Sequence, residues 1–155
     1  MKRRQLLSAA CIAGTSLSPR AKPSLPQIHV YKNAGCACCA AWVDHLKAAG
    51  FATKVTEVVN TTDTRKQYGL PEKFGSCHTA LVNGYLVEGH VPAAEVKRLL
   101  ALKPTAIGIA VPGMPIGSPG MEVDDRQESY EVLLIDKRGG ATVFARYPQP
   151  SRTMP

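Results

Sequence analysis

Gln27-Ile28-His29-Val30-Tyr31-Lys32-Asn33-Ala34-Gly35-Cys36-Ala37-Cys38-Cys39-Ala40-Ala41-Trp42-Val43-Asp44-His45-Leu46 is the segment around which the rest of the chain can be organised. Residues 27–31 alternate in the manner of a short strand, and Lys32-Asn33-Ala34-Gly35 ends it as a turn. From Cys36 to Ala49 the spacing predicts a helix. Cys39, Trp42, Val43 and Leu46 recur at helical intervals, and Gly50 supplies a C-terminal stop. Three cysteines thus fall at the start of the first helix, directly after the first strand.

Downstream, residues 51–59 are rich in β-formers, and residues 61–68 predict a short helix behind a Thr/Asp start. Thr79-Ala80-Leu81-Val82 and Tyr85-Leu86-Val87-Glu88 flank Asn83-Gly84, a pair suited to the type I′ turn of a hairpin. Pro92 fits the first turn of a helix over 93–102, with Val96, Leu99 and Leu100 inward. Residues 108–121 hold four glycines and three prolines and are expected to form an irregular loop. Residues 130–135 and 142–147, joined by Lys137-Arg138-Gly139-Gly140, predict a second hairpin. The sum is an α/β chain in the thioredoxin-like order β-α-β-α-β-β-α, followed by an additional C-terminal β-hairpin.

At 155 residues and 45% apolar content, the chain has the size and composition of one globular domain. Its net charge of +7 is concentrated at the start. Lys2, Arg3, Arg4 and Arg20 precede the first acidic residue, Asp44. Without them 15 basic side chains face 12 acidic ones, or +3, too little for a phosphate-binding stripe. Nucleic acid is therefore excluded as a partner. Residues 1–26 carry a basic start, a short apolar run and a Ser/Pro-rich stretch, and read as an export signal cleaved between Ser18 and Pro26. The Arg3-Arg4 pair leaves Sec and twin-arginine routes both open. Ser8-Ala9-Ala10-Cys11 has only two leucines before it, too short an apolar run for a lipobox. Residues 27–148 are then the folded domain and 149–155 a loose tail, with no membrane span after signal removal.

Loss of Cys11 with the signal leaves Cys36, Cys38, Cys39 and Cys77. Exported proteins usually join such cysteines into staples, but three within four residues would constrain almost no chain entropy. The cluster therefore reads as chemistry. Cys36 and Cys39 have the redox spacing Cys-x-x-Cys, with the first thiol acidified at a helix start. Cys38 is surplus to dithiol exchange and tilts the reading toward a metal. Neighbours Cys38 and Cys39 point about 100° apart on a helix, which favours separate or bridged ions over one shared ion. Thiolates suit Cu(I) or Zn(II). Closed zinc sites draw on two cysteine pairs, and a triplet plus a singlet fits copper better. Cys77, just before the third strand, is expected to abut the helix start.

His78, beside Cys77, is a ligand or a donor to one, and His90 a ligand or a polar turn residue. Met114 and Met121 flank a Pro/Gly-rich turn. They are either gap-fillers or thioether ligands that oxidation does not tie up in disulfides. His29 alternates with Ile28 and Val30 and is expected to be structural. His45 lies about 10 Å along the helix from Cys38 and is expected to be a solvated surface residue.

Taken together, Tyr31-Lys32, Cys36-Ala37-Cys38-Cys39, Trp42, His45-Leu46, Gly50-Phe51, Ser76-Cys77-His78-Thr79-Ala80, Gly84-Tyr85, Glu88-Gly89-His90-Val91-Pro92, Ala110-Val111-Pro112-Gly113-Met114-Pro115 and Gly117-Ser118-Pro119-Gly120-Met121-Glu122 resemble the CopG-type family. These are exported, thioredoxin-like proteins of bacterial copper resistance, and the likeness spans about residues 27–147. The resemblance implies copper held by Cys36, Cys38, Cys39 and Cys77, with His or Met neighbours. It also implies a Gram-negative periplasmic home among other periplasmic or membrane copper-resistance proteins. The sequence departs from true thioredoxins in placing Ser76-Cys77-His78 where they carry a shielding cis-proline. A general disulfide reductase is thereby put in doubt. The expected function is copper resistance or homeostasis through Cu(I) bound in one or several copies. The alternative is a thiol–disulfide oxidoreductase using Cys36 and Cys39. If the protein is an enzyme, it is an oxidoreductase acting on copper or disulfides.

Overall fold

A parallel pair forms the start of the sheet. β1 (Ile28–Lys32) runs beside β2 (Thr53–Glu57), and α1 (Ala37–Ala48) makes the crossover between them. The computed structural model describes residues 24–148, so nearly all of the expected signal, Cys11 and the 149–155 tail lie outside the described residues. After β2 come α2 (Thr61–Gln67), a single 3-10 turn (Glu72–Phe74), the hairpin of β3 (His78–Val82) and β4 (Tyr85–Glu88), and α3 (Ala93–Leu102). β5 (Gly108–Ala110), β6 (Tyr130–Ile135) and β7 (Ala141–Tyr147) complete one seven-stranded sheet in the order β2-β1-β3-β4-β5-β6-β7. β3 is antiparallel to β1 and β4, β5 is parallel to β4, and β6 and β7 close as an antiparallel hairpin. The architecture is mixed α/β with three α-helices.

Alternation along the strands sorts the core onto two faces. On one, Trp42, Val43 and Leu46 of α1 and Val96 and Leu99 of α3 cover Ile28, Val30, Ala80, Val82, Val87, Ile109 and Val132. On the other, Leu70 and Phe74, beyond α2, pack with Leu86, Ala110 and Ile135. Leu25 packs on the first of these clusters, ahead of β1. Among the described residues, no helix is long and apolar enough to cross a membrane.

Two expectations change. Residues 108–121 are not loop throughout, because Gly108-Ile109-Ala110 is a fully buried strand. Gly108 allows it: a Cβ there would collide with the backbone of Leu86 on β4, a packing reason for a glycine that reads as a loop signal. The second β-element is shorter than residues 51–59, since Phe51 turns into the core and only Thr53–Glu57 pairs.

The sheet brings three chain segments to one end of its central strands. β1 ends where β3 begins, with Lys32 opposite His78, and β3 pairs with the end of β4 through Thr79 and Glu88. The start of α1, the loop before β3 and the turn after β4 therefore meet.

Candidate metal centre

Cys36 is the N-cap of α1, and its Sγ accepts a hydrogen bond from the Cys39 backbone N–H at 3.3 Å. The turn that delivers it is held from below. Lys32 is buried and its Nζ donates to the carbonyls of Asn33 (3.2 Å) and Ala34 (3.4 Å). Cys36 and Cys39 are joined in a disulfide, their Cα atoms 5.3 Å apart, within the range such a bond requires. The sequence argues against a stabilising staple here, and the bond joins the pair that has the redox Cys-x-x-Cys spacing. Entropy argues only that so short a loop is stabilised little; it does not prevent the bond when one helical turn aligns the two sulfurs.

Cys38 and Cys77 are free thiols. The sulfurs of Cys36, Cys38, Cys39 and Cys77 nevertheless all lie within 4.8 Å of one another. Cys36 and Cys38 are 3.5 Å apart at Sγ, and Cys39 Sγ is 3.6 Å from the Cys77 carbonyl oxygen. The 100° separation of Cys38 and Cys39 thus does not send their sulfurs to different places. Cys38 sits in the first turn of the helix, where its side chain swings back over the N-terminus.

A second group shares Cys77. Ligand atoms of Cys77, His78 and His90 also lie within 4.8 Å of one another. His78 Nδ1 is 3.3 Å and His90 Nε2 3.0 Å from the Cys77 sulfur. The other nitrogen of His90, Nδ1, is 2.8 Å from the Pro119 carbonyl oxygen. A carbonyl can only accept, so the proton resides on Nδ1 and the Nε2 lone pair faces the sulfur. His78 is fully buried, and its Nε2 has no hydrogen-bond partner among the described residues. Its ring lies between Trp42 (centroids 4.3 Å apart) and the His90 edge (4.9 Å). Trp42 is fixed in turn by an Nε1–H bond to the Val91 carbonyl at 2.8 Å.

Burial governs the protonation of these groups. It pushes the Cys77 thiol up to about 12, reinforced by the neighbouring Cys38 sulfur. It drives His78 down to about 3, with His90 adding to the effect, and lowers His90 too. Without metal, a protonated Cys77 thiol therefore faces two unprotonated imidazoles. A partly buried set of sulfur and nitrogen donors suits a soft cation that displaces the Cys77 proton.

The loop after β5 closes over this group. Gly120, at φ +86°, lies so close to α1 that a Cβ would stand 2.7 Å from the Cys38 carbonyl oxygen and 2.8 Å from Trp42 N. Gly89, at φ +72°, similarly leaves room for Ser76, whose Oγ would be 2.7 Å from a Cβ. Met121 follows Gly120 and is half-buried, whereas Met114 is exposed at 52%.

Other expectations resolve elsewhere. His29 pairs through Nε2 with Thr56 Oγ1 at 2.8 Å, across β1 and β2. His45 is not merely solvated, because its Nε2 accepts the Ala93 N–H at 3.0 Å. It caps α3, whose N-cap residue, Pro92, makes no side-chain cap bond. Sequence reasoning also missed Arg65 and Glu88, a buried pair 3.1 Å apart whose hydrogen bonds end on Ser76, next to Cys77. An acidic residue closing the apolar run Tyr85-Leu86-Val87 was the available signal; a lone arginine in the polar stretch 61–67 gave none.

A sequence family described as "Protein of unknown function, DUF411" matches residues 74–121, the part that carries Cys77, His78, His90, Met114 and Met121. No curated protein matches the chain. Two solved structures, named "Copper resistance protein copG- Form 2" and "Copper resistance protein copG- Form 1", match it at 43% identity and a TM-score of 0.76. Each match covers 80% of this chain, and 99% and 98% of the respective solved chains. At that identity, over almost their whole length, this chain belongs to the CopG copper resistance protein family.

Proposed function

We propose that the protein is an exported, periplasmic copper-binding protein that holds Cu(I) in a thiolate nest at the start of α1. Cys36, Cys38, Cys39 and Cys77 are the sulfur ligands. His78 and His90 share Cys77 with them and extend the nest toward more than one ion. Met114 and Met121, on the covering loop, add thioether donors. The observation that carries this reading is the convergence of four sulfurs within 4.8 Å, with two imidazoles on the sulfur of Cys77. The names of the related structures point the same way. The order β2-β1-β3-β4, with β3 antiparallel to its neighbours and Cys36 capping α1, supports describing the first seven elements as thioredoxin-like.

Reduction of the Cys36–Cys39 disulfide by an external dithiol, which passes two electrons and two protons to the pair and is itself oxidised to a disulfide, returns both sulfurs to the ligand set, so filling that set requires the reduced protein. Anaerobic titration of reduced protein with Cu(I) against a competing chelator tests the reading. Affinity tighter than micromolar, lowered by Cys→Ser changes in the cluster, is expected. Weaker binding, or binding indifferent to those changes, excludes it.

A thiol–disulfide oxidoreductase is the second reading, favoured by the disulfide itself and by Cys36 at the helix N-cap. Cys38→Ser separates the two. It spares dithiol exchange between Cys36 and Cys39 and damages a copper cluster.

A further inference from the structure

Arg65 and Glu88 form a buried ion pair, in general weak evidence of a stabilising role, and the direction of their hydrogen bonds is informative. Arg65 is 5% exposed and Glu88 fully buried. Glu88 Oε1 accepts the Ser76 backbone N–H at 2.8 Å, while Arg65 Nη1 donates to the Ser76 carbonyl at 3.1 Å and to Glu88 Oε1 at 3.1 Å. Both backbone polar groups of the residue before Cys77 thus end on one ion pair. The pair is itself immobilised. Thr79 Oγ1 donates to Glu88 Oε2 at 2.6 Å, and Arg65 Nη2 reaches Glu72 at 2.7 Å and Thr62 at 2.8 Å. From Ser76 the connection continues outward. Its hydroxyl donates to the Gly113 carbonyl, and the Gly113 N–H returns to the Gly75 carbonyl at 3.1 Å. The loop carrying Cys77 and the loop carrying Met114 are therefore fastened to each other through the same residue.

We propose that Arg65 and Glu88 are positioning residues for copper. By clamping Ser76 they set the sulfur of Cys77 against the α1 thiols and hold the methionine-bearing loop in register. This rests on the reading of Cys77 as a copper ligand.

Reduced protein is titrated anaerobically with Cu(I) against bicinchoninate, comparing Glu88→Leu, Glu88→Gln and Cys77→Ser, with near-UV circular dichroism and melting of each metal-free variant. Glu88→Leu is expected to fold yet bind Cu(I) about 10–100-fold more weakly, the usual loss when the support of a ligand is removed. Glu88→Gln, which still accepts from Ser76, is expected to recover most of that loss. A folded Glu88→Leu with unchanged affinity overturns the proposal, as does a Gln variant as weak as the Leu variant. If Glu88→Leu does not fold, Arg65→Lys replaces it: one ammonium cannot reach Ser76, Glu88 and Glu72 together, so unchanged affinity there is equally fatal. Cys77→Ser with unchanged affinity overturns instead the reading of Cys77 as a ligand, and the clamp's role with it.

Discussion

His90 Nε2 stands 3.0 Å from the sulfur of Cys77, and the Pro119 carbonyl, 2.8 Å from Nδ1, dictates which nitrogen faces it. The loop after β5 therefore does more than cover the site: its backbone sets the tautomer of a residue it does not contain. Removing the imidazole by His90→Ala is expected to weaken Cu(I) binding at least about tenfold, or about 1.4 kcal/mol. His90→Ala protein that competes with a chelator as well as the unmodified protein does would remove His90 from the ligand set.

If Cys77 is a ligand, proton release is expected to accompany Cu(I) loading. Burial holds the Cys77 thiol near 12, so its proton is present throughout the physiological range and must leave when a metal binds. Apparent Cu(I) affinity is expected to rise about tenfold per pH unit for each proton displaced, between about pH 6 and 8. Calorimetry in buffers of different ionisation enthalpy measures the protons directly. A loading step that releases none contradicts a thiol ligand.

Metal-free stability should depend on pH in the opposite region. All four histidines lie below their ordinary value of 6.5, with burial as the leading cause. The unfolded chain then takes up protons below that value that the folded chain refuses, so the histidines' contribution to stability is complete above about pH 6.5 and falls as the pH drops, outweighing the opposite contribution of the single carboxyl of Glu88, raised to about 7 by burial. His45 contributes because charging it turns the acceptor for the Ala93 N–H into a donor. Melting temperature is expected to decline from about pH 7 to 5, and less steeply in His45→Gln. Identical slopes would show that the cap is not linked to protonation.

Trp42 is the chain's single tryptophan and lies 4.3 Å from the His78 ring. Its emission should change on Cu(I) loading and saturate with the same stoichiometry as the metal. Trp42→Phe leaves the Val91 carbonyl without its donor and is expected to cost about 1–3 kcal/mol of stability. Emission that ignores bound copper would argue that His78 stays apart from it.

Much of this was legible because local rules and tertiary packing agree. The alternation of residues 27–31, the Asn83-Gly84 turn and the 3.6-residue spacing of Trp42, Val43 and Leu46 each specify an element on their own. Where a residue's role depends on a distant neighbour, the pattern is silent. Gly108 reads as a loop signal until Leu86 is seen beneath it, and His45 as surface until Ala93 is seen at its tip. Glu88 and Arg65 belong to the same class: an ion pair 23 residues apart leaves no periodic trace.

X-ray absorption at the copper edge of Cu(I)-loaded, reduced protein tests the central claim most directly. The account predicts a first shell dominated by sulfur with an imidazole contribution, and a loss of sulfur scattering in Cys38→Ser and in Cys77→Ser. A shell of oxygen and nitrogen alone, or one unchanged by both substitutions, would contradict it.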